Sequence, residues 1–366
     1  MKVAAVFMSM PVGGAEDLAL SLGSALAESG VETHFVCLRA EGELGKLAAR
    51  EASERFHCLP VAPGKRFHPV GFLRLTNWLR REKFDLVHSH TYHGHTYAGP
   101  AARWAGIPVV LHHHKTLEKM KWLRHVMLGR LMRRADAVVA LSRETATDLT
   151  HAFRLNPEKV SALPNPVDTQ IFTPATTEEK LTLREALGLD PGRFLIGSVA
   201  SLNPVKNHRA SVQALAGVGQ ADLLILGEGR ERAALGQLAR ELGVENRLRL
   251  AGNQRPIAPW LRSLDLFVLP STWEGQSLAL LQAIASGLPV LASRIEGNVA
   301  VLGIGHPGLF DPTDVSAYTE LLRRAASDAG FREELVAYQS QLLLPTMQDA
   351  AARMLAIYQK AALRTS

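Results

Sequence analysis

Apolar residues along this chain fall in short runs separated by amphipathic stretches of helical length. In the first half the runs are Val3–Met8, Glu32–Leu38, a weaker one near His57–Val61, Phe84–His90, Ile107–His114 and Ala137–Leu141. The second half repeats the design with Phe194–Val199, Leu223–Leu226, Leu248–Gly252, Leu264–Pro270 and a run from Pro289. Runs this short, with few polar interruptions, suit strands buried on both faces. Between them, apolar residues recur at three and four, which predicts helices over Asp17–Ser29, Glu43–Glu51, Gly71–Glu82, Arg143–Ala152 and Ala175–Gly188. Three closing helices are expected over Ala317–Ala329, Phe331–Gln341 and Met347–Ala362. Strict strand–helix alternation of this kind predicts parallel, doubly wound sheets. The segment Leu163–Pro174 has three prolines and no periodicity, so it reads as a linker. The expected domains are therefore 1–172 and 173–345, with a terminal helix in 346–366 that packs back on the first domain.

The stretch Ser271–Ala292, STWEGQSLALLQAIASGLPVLA, carries the most chemistry. It joins a strand end to an acidic turn, a helix over Ser277–Ser286 and a stop at Gly287. Free amides of Gly275, Gln276 and Ser277 at the helix N-terminus would favour an anion. Glu274 would repel a phosphate, and so would have to face sugar hydroxyls instead. Gln282 lies eight residues on, about two helical turns, which predicts one face for both side chains. The plain alternative is an ordinary strand–turn–helix unit with a surface glutamate. A second glycine turn, Gly13-Gly14, follows the first run and opens a helix, leaving room for a ligand at the backbone.

Half of the 14 histidines lie between His88 and His114. His88 and His90 end one strand, His112, His113 and His114 end the next, and Tyr92, His93 and His95 are expected in the intervening loop. Ligands of open α/β sheets bind at the carboxyl ends of strands, so these clusters should face one site. A zinc site would need convergent ligands, and adjacent strand residues point to opposite faces, so only alternate members could meet. No cysteine or carboxylate accompanies them at a metal-binding spacing. No metal is therefore expected, and polar contacts to a sugar and its phosphate are preferred; for any one histidine, polar filler is the alternative.

Composition adds bounds. The chain has 366 residues, 47% hydrophobic and 21% charged, enough for two substantial cores. A net charge of +6 favours phosphates or an anionic membrane surface but is too modest to indicate nucleic acid, and no nucleic-acid-reading motif accompanies it. Cys37 and Cys58 match no metal or redox spacing and read as reduced core thiols. Val3–Met8 is too brief for a signal sequence, and no apolar run approaches the roughly 18 residues of a membrane span, so a cytoplasmic protein is expected. The segment Lys115–Arg134 is basic and amphipathic, with Trp122, Leu123 and Met127. Either it is a surface helix, or it lies on the inner face of an anionic membrane.

These residues together resemble the retaining glycosyltransferases of family 4. That family has the GT-B fold, two Rossmann-like domains facing a cleft, and a Glu-x7-Glu signature to which Glu274 and Gln282 correspond. The resemblance implies a nucleoside-diphosphate-sugar donor, a UDP-sugar being expected, and no cofactor. It implies that Glu274 touches donor hydroxyls, Gln282 the ribose, and Lys206 the diphosphate. It places Ser201 where relatives have arginine, Pro166 where they have glycine, and Glu228 and Arg255 in donor-binding loops. The stretch Pro108–His114 resembles the family's donor-sugar histidine, which falls on His114 or, with a shift of one, on His113. His90, Tyr92 and His113 would lie on the acceptor side. The implied reaction is transfer of a hexosyl or N-acetylhexosaminyl group to a saccharide or lipid-linked saccharide, in polysaccharide or glycolipid synthesis. Because Ser201 and Gln282 depart from the pattern, a non-catalytic sugar-nucleotide-binding protein is the alternative. A sugar-nucleotide epimerase fits less well, since it would not explain Glu274.

Overall fold

The computed structural model describes residues 1–11, 13–62, 68–114 and 122–363. The chain divides into two compact units, Met1–Pro166 with Pro345–Ser366, and Val167–Leu344.

In the first unit seven strands form one sheet: β1 (Lys2–Phe7), β2 (Glu32–Cys37), β3 (Phe56–Cys58), β4 (Leu86–His90), β5 (Val109–His113), β6 (Ala137–Ala140) and β7 (Val160–Ala162). Their spatial order is β3-β2-β1-β4-β5-β6-β7, all pairs parallel. The second unit has six: β8 (Phe194–Val199), β9 (Ala221–Leu226), β10 (Leu248–Gly252), β11 (Leu266–Leu269), β12 (Val290–Ser293) and β13 (Leu309–Phe310). They are ordered β10-β9-β8-β11-β12-β13, again parallel. Both orders reverse direction beside the first strand of the unit, between β1 and β4 and between β8 and β11. Such switch points open a crevice at the carboxyl ends of the strands.

Two-sided burial follows from the continuous apolar runs. On β9, Leu223 and Ile225 join the core on one face, while Leu224 and Leu226 join the core on the other. The same alternation on β1 sends Ala4 and Val6 to one layer and Ala5 and Phe7 to the opposite one. Each fully buried leucine of this kind contributes roughly 1.5–3 kcal/mol. The strand β7 is only three residues long, too short for the periodicity of the sequence to reveal. The closing helix Met347–Leu363 belongs to the first unit and buries Met354 and Tyr358 there.

Cys37 and Cys58 are register partners on β2 and β3, and both are free thiols. Burial pushes the Cys37 thiol up to about 12.

Candidate active site

In the second unit the turn after β11 and the loop after β8 meet at the switch point. The helix after the turn is Leu278–Ala285, capped by Ser277, whose hydroxyl accepts from the Leu280 amide. Gly287, at φ +70°, ends it in the left-handed region that glycine adopts without a Cβ clash. Glu274 thus lies four residues before the helix, in the turn, so helical periodicity does not relate it to Gln282, and the expectation of a shared helix face fails. Gln282 is half-buried within the helix.

The Glu274 carboxylate is 8% exposed and takes Lys206 Nζ on both oxygens, at 2.7 and 2.8 Å. Ser271 Oγ donates to the same carboxylate at 2.7 Å. Lys206 ends a short 3-10 turn, Pro204–Lys206, whose Val205 and Lys206 amides donate to the Asn203 side chain. Asn203 Nδ2 in turn donates to Ser201 Oγ at 2.7 Å. Ser201 therefore braces the lysine loop instead of presenting a charge. Thr272 locks the two loops together, its amide and hydroxyl both donating to the Val205 carbonyl. Sequence reasoning assigned Lys206 and Glu274 to separate partners; the structure brings them into one ion pair, and it adds Ser271, Asn203 and Thr272.

The turn is also held from below. A Cβ on Gly297 would sit 2.5 Å from the Glu274 carbonyl oxygen and closer still to that of Gly275. Both carbonyls therefore face Gly297, and planar trans peptides aim the amides of Gly275 and Gln276 the other way. Ser293 Oγ donates to the Ser271 carbonyl, and Asn298 Nδ2 donates to Ser293.

His208 cannot stand in for the missing arginine, because it is fully buried. Burial lowers it to about 4, the Lys206 charge adding to the effect and the backbone of Ser201 and Ala200 opposing it. Arg209, the next residue of the helix His208–Leu215, is exposed. A group depressed in the folded state stays neutral there while the unfolded chain takes up a proton near pH 6.5. Its stability contribution is therefore full above pH 6.5 and is lost as pH falls toward 4, about 3 kcal/mol in all. Urea unfolding across this window should show that His208→Gln loses less stability than the wild type; parallel curves would contradict the assignment.

Of the other donor-side residues, Glu228 pairs with Arg232 at 2.8 Å on the surface, and Arg255 is exposed just beyond β10. Gly227 and Gly229 let that loop pass against the Ala200 and Leu202 carbonyls.

In the first unit Gly13 is extended and caps the helix Gly14–Ala27. Glu16 Oε2 lies 2.5 Å from where a Gly13 Cβ would stand, so the turn presents a carboxylate that an anion would have to displace. The histidines divide by face. His90 and His112 are register partners, and with His88 and His114 they stack on one side of β4 and β5, at centroid spacings of 4.0 to 5.5 Å. His113 points to the other face and is buried, so it does not share His90's face of the sheet. Tyr92, His93 and His95 are not in a loop: the helix Thr91–Ala105 starts at once, with Thr91 at φ +64°. His95 instead meets Ser89 Oγ at 3.0 Å. Burial, followed by neighbouring imidazoles, holds His88 and His114 near 3 and His90, His95 and His112 well below their usual value. His90 is 3% exposed, His114 and Tyr92 half-buried. Tyr92 lies under Arg124, and its hydroxyl meets Met127 Sδ.

Residues 115–121 of the basic segment lie outside the described residues. The rest forms the helix Trp122–Arg134, with Trp122 77% and Leu123 65% exposed. Among the described residues no helix is long and apolar enough to cross a membrane.

Residues 12–171 match the family model Glycosyltransferase Family 4, and residues 179–341 match Glycosyl transferases group 1. The Escherichia coli UDP-Gal:alpha-D-GlcNAc-diphosphoundecaprenol alpha-1,3-galactosyltransferase is 30% identical over 70% of each chain. The D-inositol 3-phosphate glycosyltransferase of Stackebrandtia nassauensis is 27% identical over 89% of this chain and 81% of its own. Among solved structures, Anabaena HepE in complex with UDP-glucose superposes with a TM-score of 0.80 at 21% identity, covering 100% of this chain and 99% of that one. With both family models matched in order, a 30% identical glycosyltransferase among its relatives and two parallel, doubly wound sheets, this chain belongs to the GT-B glycosyltransferases.

Proposed function

We propose that the chain transfers a hexosyl or N-acetylhexosaminyl group from a UDP-sugar, with retention of configuration, to a saccharide or lipid-linked saccharide acceptor. The observation that carries this reading is the Lys206–Glu274–Ser271 cluster at the β8/β11 switch point. A carboxylate oriented by a cation and a hydroxyl is built to accept hydrogen bonds from sugar hydroxyls. The amides of Gly275 and Gln276, together with Lys206, would stabilise the charge on the departing diphosphate. In the reaction the bond from the anomeric carbon to the diphosphate oxygen breaks. The acceptor hydroxyl bonds to that carbon from the same face, and its proton passes to the leaving phosphate oxygen. Support for the nucleotide and acceptor comes from the relatives: HepE holds UDP-glucose, and the name of the E. coli enzyme specifies UDP-galactose and a diphosphoundecaprenol acceptor.

A thermal-shift screen against UDP-, GDP-, ADP- and CMP-sugars tests the donor class, because ligand bound only to the folded state raises the midpoint by mass action. A response to UDP-sugars alone is expected. A protein that responds to UDP-sugars but releases no UDP with any acceptor would favour the non-catalytic alternative, which the neutral Ser201 motivates.

For a lipid-linked acceptor the chain would work at an anionic membrane surface, with exposed Trp122 and Leu123 among the arginines of their helix. Trp122→Ala with Leu123→Ala should cut pelleting with phosphatidylserine vesicles several-fold and leave neutral vesicles unaffected. Equal pelleting of variant and wild type would remove this surface from the proposal.

A further inference from the structure

The histidine stack of the first unit does more than fill space between strands. Its pattern is two alternate residues on β4 and the register partner of the second on β5, so His88, His90 and His112 share one face of a rigid sheet. One ring nitrogen from each can be chosen so that all three lie within 4.8 Å of one another. All three side chains are buried, at 2 to 3% exposure. Neither ring nitrogen of His112 has a hydrogen-bond partner, and His88 Nε2 has none. Leaving buried polar atoms unpaired costs on the order of 1–3 kcal/mol each, so the stack as it stands is an unfavourable way to pack a core.

The remaining nitrogens are held in a way that frees those three. Tyr358, on the closing helix, sits 2.7 Å from His88 Nδ1. With the proton on Nδ1, the lone pair of His88 is on Nε2, the nitrogen without a partner. His114 Nε2 likewise meets His90 Nδ1 at 3.1 Å, leaving His90 Nε2 as its other donor atom. Partners on the distal nitrogen are what orient metal-ligating imidazoles.

We propose that His88, His90 and His112 bind a divalent transition-metal ion of the zinc, cobalt or nickel class. Metal–nitrogen bonds of about 2.0–2.1 Å place the ligands of a tetrahedral site about 3.4 Å apart, so modest ring rotations complete the geometry. An all-imidazole set disfavours magnesium and calcium, which need oxygen ligands. The fourth position would be taken by water, because the lone-pair nitrogen of His114 is already the partner of His90 Nδ1. The site lies within the first unit and does not depend on the donor reading. Its role is that of a staple joining β4 to β5 and, through Tyr358, to the closing helix.

The test uses the full-length chain, stripped with chelator and titrated with cobalt(II) alone and then with zinc(II). The wild type should bind one equivalent tightly, show the visible ligand-field absorption of tetrahedral cobalt, and gain melting temperature with either ion. His112→Phe should abolish the absorption and the bound equivalent, and Tyr358→Phe, which keeps every imidazole, should weaken binding by about tenfold or more. Exposed His93→Gln should bind as the wild type does. If His112→Phe does not melt cooperatively, Tyr358→Phe decides. A stripped wild type that takes up no stoichiometric ion, or variants at both positions that bind as it does, overturns the proposal.

Discussion

Replacing Lys206 with alanine should lower turnover by about 10²–10³, the scale of losing one preorganised charge at a leaving group. The same change strands a carboxylate that is only 8% exposed, which should destabilise the second unit by roughly 3 kcal/mol. These two consequences separate in the double variant Lys206→Ala, Glu274→Gln. Neutralising the carboxylate removes the stranded charge, so most of the stability should return, measured by urea unfolding, while turnover stays low. Wild-type turnover in Lys206→Ala would remove the lysine from the chemistry. Recovery of rate along with stability would make the ion pair a folding device only.

Gly297→Ala is the second large effect, and its residue touches nothing that reacts. The added Cβ would meet two backbone carbonyls, those of Glu274 and Gly275, neither of which can swing aside as a flexible side chain would. Overpacking of this kind costs about 1–3 kcal/mol, and a turn moved by about an ångström can cost about 10² in rate. The loss should fall on turnover and on UDP-sugar affinity together, while secondary structure measured by circular dichroism stays unchanged. Activity within twofold of the wild type would show that the turn is free to shift without consequence.

Where sequence and structure agree, the physics is local. The runs Phe194–Val199 and Leu248–Gly252 are strands over the same residues; the first is buried on both faces, and the second is an edge strand whose Arg249 is exposed. Gly287 ends its helix as its missing Cβ permits. Departures occur where tertiary contacts decide. The eight-residue spacing from Glu274 to Gln282 looks helical, but Glu274 is drawn out of the helix by Lys206, Ser271 and the carbonyl packing on Gly297. Thr91–Ala105 contains two glycines, a proline and two histidines and reads as loop, yet it is a helix: Gly94 allows it to start hard against Ser89 and the Val6 carbonyl. Asn203 bracing Lys206 depends on a side-chain contact with two backbone amides and with Ser201, which no periodicity announces. Tyr358 reaching His88 across 270 residues of sequence had no local signal at all.

The most direct test of the account is calorimetric titration of UDP and of a UDP-hexose onto the wild type and Glu274→Gln. If Glu274 contacts the sugar, UDP should bind both proteins alike. The UDP-hexose should bind the variant about 10- to 100-fold more weakly, the scale of hydrogen bonds to a charged acceptor. Equal weakening of both ligands, or a wild type that binds neither, would contradict the assignment of this turn as the donor-sugar site.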